Sequence, residues 1–191
     1  SFAWDCGLAC AEMALRARGV SVTVSDLRKL CETDSIWSID ISYLLHRFGV
    51  QLTFFTVTRG VRVEYRKQEF YRKQLPEDTK RVTALFESAE RRGVHVVEQS
   101  VDLKDIVQAV VNDNKIVLVL LDKRLLSCTL CDRRRSNSVQ GQQPEHFGGN
   151  TRATSGFLGH YVLLYAYDAK VDNFLMKDPA SMCDACVISA D

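Results

Sequence analysis

HYVLLYAYD at 160–168 and NFLMKD at 173–178 are separated by the four residues 169–172. Both segments are aliphatic and aromatic and are bounded by polar turn residues, the pattern of paired strands. With so short a connection they pair antiparallel, which puts the start of the first beside the end of the second. His160 and Asp178 are therefore expected as neighbours across the pair.

Upstream, IVLVLL at 116–121 reads as a buried strand, and 94–99 and VQLTFFTVT at 50–58 read as two more. Helices fill the space before them. Asp5 is the expected N-cap of a first helix with Ala9, Cys10, Met13, Ala14 and Ala17 on its apolar face and Gly19 as its stop. A second helix follows Ser25 towards Cys31. A third follows Ser38, with Ile41, Leu44, Leu45 and Phe48 as its stripe and Gly49 at its end. Residues 64–74 read as a short surface helix. A longer amphipathic helix covers 78–92 through Val82, Leu85, Phe86 and Ala89, closed by Gly93. Another, capped by Asp102, carries Leu103, Ile106, Val107, Val110 and Val111. Helices come first and strands dominate the end, so the expected class is α+β with a mainly antiparallel late sheet. Residues 123–158 are polar, include the run Arg133, Arg134, Arg135, and read as a flexible insertion. No repeat is visible, and one domain over 1–191 is expected.

The chain has 191 residues, 46% hydrophobic and 26% charged, the balance of a globular domain. Its formal net charge is +1, which removes the main sequence argument for a nucleic-acid or membrane partner. The aliphatic run 116–121 is far short of the ~20 residues of a membrane span. The chain opens Ser-Phe-Ala rather than with Met, so a fragment truncated at both ends is expected. Seven cysteines, an odd number, favour a reducing compartment: the cytoplasm, with the nucleus as alternative.

WDCGLAC at 4–10 places Cys6 in the first turn of a helix, where unpaired amides and the helix dipole stabilise a thiolate. Gly7 beside it permits close approach of a substrate backbone. Taken alone, Cys6 reads first as a small buried hydrophobe, as most unpaired cysteines do. Taken with His160 and Asp178, it completes a nucleophile, base and orienter. Trp4, Asp5, Gly7 and Gly159 flank the expected catalytic residues and are the expected substrate-binding positions. The partner would be a peptide or acyl substrate, and the chemistry requires no cofactor.

CTLC at 128–131 and CDAC at 183–186 each follow a strand. If the His160 strand lies between those two strands and antiparallel to both, the two pairs leave the sheet at one end. Cys128, Cys131, Cys183 and Cys186 would then suit a structural zinc ion; the alternative is loop cysteines with no joint role. Trp37 and Tyr43 read as core or groove wall, His46 as solvated, His95 as a strand residue, and His146 as part of the insertion.

Five segments carry a resemblance: WDCGLAC (4–10), SIWSIDISYLL (35–45), EFYRKQLPED (69–78), GHYVLL (159–164) and KDPAS (177–181). In this order they resemble the guanylyl cyclase family of plants and its animal relatives, which is similar to the papain-like peptidases of bacteriocin leaders. The resemblance implies a papain-like cysteine-peptidase fold with Cys6 as nucleophile, His160 as base and Asp178 as orienter. It also implies a Gln oxyanion donor six residues before the cysteine, ahead of Ser1, and a further helix and strand beyond Asp191. The family name implies conversion of GTP to cyclic GMP with a divalent metal. The sequence has no glycine-rich phosphate loop and no paired Asp motif for that reaction, although Arg133, Arg134 and Arg135 could contact phosphate. Three classes stay open: a thiol enzyme acting on a peptide, isopeptide or acyl bond, a guanylyl cyclase, and a non-catalytic interaction module.

Overall fold

A computed structural model describes residues 5–31, 33, 35–61, 75–128, 130–131, 157–181 and 183–190. Trp4, His146, the surface helix expected at 64–74 and residues 132–156 of the expected insertion lie outside the described residues. The chain divides into two compact units, Ser1–Asp102 and Leu103–Asp191.

In the first unit, helices α1 (Cys6–Ala17), α2 (Val24–Cys31) and α3 (Ser38–Arg47) pack on one another. Strand β1 (Thr53–Thr56), helix α4 (Leu75–Ser88) and strand β2 (His95–Glu98) follow. β1 and β2 pair in parallel from Thr53↔His95 to Thr56↔Glu98, so the connection between them carries a crossover helix. Ile39, Val82, Phe86, Ala89, Val94 and Val96 form the core, with the Phe54 ring stacked on Phe86. The buried face of α1 is Leu8, Cys10, Ala11 and Leu15, not the expected face through Ala9, Met13, Ala14 and Ala17. The two leucines remove more apolar area from water than the alanines do, so they turn the helix.

The second unit is a four-stranded antiparallel sheet in the order β3 (Val117–Asp122), β4 (Gly159–Asp168), β5 (Asn173–Lys177), β6 (Cys186–Ser189). Helix α5 (Leu103–Val111) packs on β3 and β4. The described elements are thus helical first and sheet-rich later, an α+β fold. Val110, Val162, Leu164, Phe174 and Met176 fill the core together with Cys128 and Cys186. Among the described strands β3 lies at an edge of the sheet, and Leu120 on it is 42% exposed rather than buried as expected for 116–121. An unbroken aliphatic run does not say whether one face or both will be covered. Part of the expected insertion is built into this unit. Residues 123–125 form a short 3-10 turn, and the Lys123 amide donates to the Leu158 carbonyl at 2.8 Å. Cys128 belongs to the core. Among the described residues no helix is long and apolar enough to cross a membrane.

Candidate functional site

β4 pairs with β3 through Leu121↔His160 and with β5 through Leu163↔Lys177, so the end of β5 arrives beside the start of β4. Asp178 follows directly, and its Oδ1 lies 2.7 Å from His160 Nε2. The histidine is 3% exposed. The Ala180 amide also donates to Asp178 Oδ1 at 2.8 Å. Burial raises the affinity of the Asp178 carboxyl for its proton. The His160 hydrogen bond, the Ala180 amide and the charges of His160 and Lys123 outweigh it and hold the carboxyl below its usual value. An ionised carboxylate that accepts from Nε2–H fixes the tautomer whose lone pair is on Nδ1. That arrangement orients an imidazole for acid–base work. Gly159, one residue earlier, faces crowding within its own unit: a Cβ there would stand 3.2 Å from the Phe157 ring and 3.3 Å from Leu120.

Cys6 belongs to the first unit and is the first residue of α1, half-buried. Gly7 beside it is buried. Asp5 occupies the N-cap position but makes no side-chain cap; its carboxylate instead accepts from the Arg28 guanidinium. The expectation of a capping Asp5 side chain is thereby corrected, because a charged partner on α2 outcompetes backbone amides for it.

Cys128, Cys131 and Cys186 of the two C-x-x-C segments converge at the end of the sheet, and Cys183 touches the group through Cys131. Cys131 Sγ is 3.1 Å from Cys183 Sγ and 3.5 Å from Cys186 Sγ. The sulfurs of Cys128, Cys131 and Cys186 all lie within 4.8 Å of one another, and all are free thiols. The Ser181 hydroxyl favours the Cys131 thiolate, yet the neighbouring Cys183 thiol, desolvation and the other thiols prevail and push Cys131 up to about 12.

A buried polar network in the first unit was not singled out from the sequence. Arg81 donates to Asp40 and, at 3.3 Å, to Asp78, while Ser35 donates to Asp78 at 2.5 Å. The Trp37 amide donates to Asp40 Oδ2 at 2.7 Å, and the Trp37 indole donates to Ser35 at 3.2 Å. Burial raises the Asp40 carboxyl above its usual value despite Arg81. The nearby Cys31 thiol is pushed up to about 11, first by burial and then by the Asp40 charge. The polar Ser35, Ser38 and Asp40 inside the apolar stretch 35–45, with Asp78 and Arg81 at i,i+3, were the signal available for it.

The remaining histidines are placed plainly. His46 packs its ring over Gly93, and His95 is an exposed strand residue 3.5 Å from Glu90. Tyr43 donates to the Leu85 carbonyl at 2.8 Å, and the Arg92 guanidinium lies over its ring.

A nucleotide-bound magnesium ion takes oxygen ligands. Among the described residues the side chains that converge as a group of metal donors are the thiols of Cys128, Cys131 and Cys186. Asp40 and Asp78 are engaged by Arg81 and Ser35.

A family model described as "Guanylylate cyclase" matches residues 1–191. Guanylyl cyclase 1 of Arabidopsis thaliana is 38% identical over 179 residues, which is 93% of this chain and 61% of that protein. The chain thus spans about three fifths of the length of that relative. No solved structure matches it.

Proposed function

The chain belongs to the guanylylate cyclase family, and we propose that it acts as a thiol-dependent hydrolase or transferase on a peptide, isopeptide or acyl bond. The observation that carries this reading is the buried His160–Asp178 pair at 2.7 Å. A carboxylate spent on orienting a histidine is the feature that acid–base catalysis needs and that a nucleotide cyclase does not require. Cys6, at the start of α1, has the helix-terminal position that favours a thiolate. The arrangement is read as papain-like: a helix-borne cysteine served by a sheet-borne histidine.

In this reading His160 Nδ1 takes the Cys6 proton, and the sulfur attacks the carbonyl carbon. The leaving amine or alcohol departs with the proton from His160, and a thioester remains on Cys6. Water or an acceptor amine, deprotonated by His160, then attacks the thioester and restores the thiol. Asp178 keeps the imidazole in the required tautomer and offsets its charge when protonated. Gly7, Gly159, Asp5 and Trp4 are the proposed substrate neighbours. The mechanism needs no metal or cofactor.

The test is an acyl-transfer probe, an aryl ester of a short peptide, with the adduct mapped by mass spectrometry. A thioester on Cys6 that disappears in His160→Ala supports the reading. The name of the Arabidopsis relative, guanylyl cyclase 1, favours the second reading, conversion of GTP to cyclic GMP. GTP turnover that survives Cys6→Ala, with no acyl adduct, would replace the first reading by the second. Neither activity would leave an interaction module.

A further inference from the structure

The thiols at the end of the second unit's sheet form a site outside the proposed catalytic residues. We propose that Cys128, Cys131, Cys183 and Cys186 together bind one zinc ion as a closed structural site.

The topology explains why segments 52 residues apart meet. β4 lies between β3 and β5 and is antiparallel to both, so β3 and β5 run the same way. The segment after β3 and the segment after β5 therefore leave the sheet at the same end. Cys183 lies in the connection to β6, and Cys186 begins that strand. Four sulfurs at about 2.3 Å from one ion stand roughly 4 Å apart. Cys128, Cys131 and Cys186 lie within 4.8 Å of one another, with Cys131–Cys186 at 3.5 Å, and Cys183, 3.1 Å from Cys131 but outside that mutual group, would close the site by a side-chain adjustment.

The surroundings are those of a thiolate cluster. The Val187 amide donates to Cys128 Sγ at 3.3 Å, and the Leu130 and Cys131 amides point to the same sulfur. Ser181 Oγ lies 3.3 Å from both Cys131 Sγ and Cys186 Sγ. Such donors offset the negative charge that thiols acquire when each releases its proton to bind a metal. Soft sulfur ligands select zinc over magnesium or calcium, and four protein ligands leave no open position for a reacting water.

The site also reaches the histidine's partner. The Ser181 amide donates to the Asp178 carbonyl at 3.0 Å, and the Cys183 amide donates to Ser181 Oγ at 3.0 Å. One turn therefore carries both the orienting carboxylate and a zinc ligand.

The test uses the full 191-residue chain, purified under reducing conditions and analysed for metal by mass spectrometry. One zinc per chain is expected in the wild type and in Cys31→Ser, with loss in Cys128→Ser and Cys183→Ser. Because those variants can misfold, the wild type supplies a second readout. Cobalt exchanged into it should give the absorption of a tetrahedral thiolate complex. N-Ethylmaleimide should label the four cysteines only after chelation. A metal-free wild type with all four cysteines freely alkylated overturns the proposal. So does a Cys131–Cys183 disulfide in the reduced preparation, or zinc retained when all four are replaced.

Discussion

Asp178 Oδ1 stands 2.7 Å from His160 Nε2, although the two are 18 positions apart in the chain. The contact follows from strand pairing: β5 returns antiparallel to β4 and ends where β4 begins. A buried histidine and a half-buried carboxylate paired in this way depend on each other, and their dependence can be measured.

Asp178→Asn should destabilise the protein by about 1.5–3 kcal/mol at pH 7, the range for a hydrogen bond to a charged group. The Asp178 carboxyl is held below its usual value in the folded state. Its contribution is therefore fully present above the unfolded value near 3.8 and is lost as pH falls through the folded value. Urea titrations of wild type and variant should differ most at neutral pH and converge in strong acid. An equal difference at both extremes would contradict the assignment.

Arg81→Met should cost about 3 kcal/mol, because it leaves Asp40 and Asp78 buried without their cation. Adding Asp40→Asn removes one stranded charge and should recover part of that loss. A double-mutant cycle over Arg81 and Asp40 reads the coupling directly. Strict additivity would mean that the network does not hold the first unit together.

Gly93→Ala should cost more than Gly49→Ala. Both glycines have positive φ, +80° and +74°, a conformation costing a residue with a Cβ about 1 kcal/mol. At Gly93 the added carbon would also stand 2.9 Å from the His46 ring, whereas nothing lies within 4 Å at Gly49. In a His46→Ala background the two costs should become equal, as thermal melts would reveal.

The late sheet was the most legible part of the sequence. Its strands are long and aliphatic, and its connections are short or turn-rich, so pairing and direction followed, and with them the meeting of His160 and Asp178. The convergence of the C-x-x-C segments followed from the same pairing. What the sequence concealed depends on neighbours far along the chain. Asp5 looks like a cap until Arg28 of α2 takes its carboxylate. Leu120 looks buried until the strand proves to lie at an edge. β6 was missed because four residues, CVIS, are too few to show a period. Asp40 and Asp78 are far apart in the chain, and only the fold brings Arg81 between them.

The proposed function requires that Cys6 and His160 act as one nucleophilic pair. The most direct measurement is the rate of Cys6 alkylation by iodoacetamide against pH, followed by peptide mass mapping in wild type and His160→Ala. The account predicts rapid wild-type alkylation well below the pH of about 8.5 at which an ordinary thiol ionises, and a shift of the profile to higher pH in His160→Ala. Superimposable profiles, both rising near that ordinary value, would contradict it.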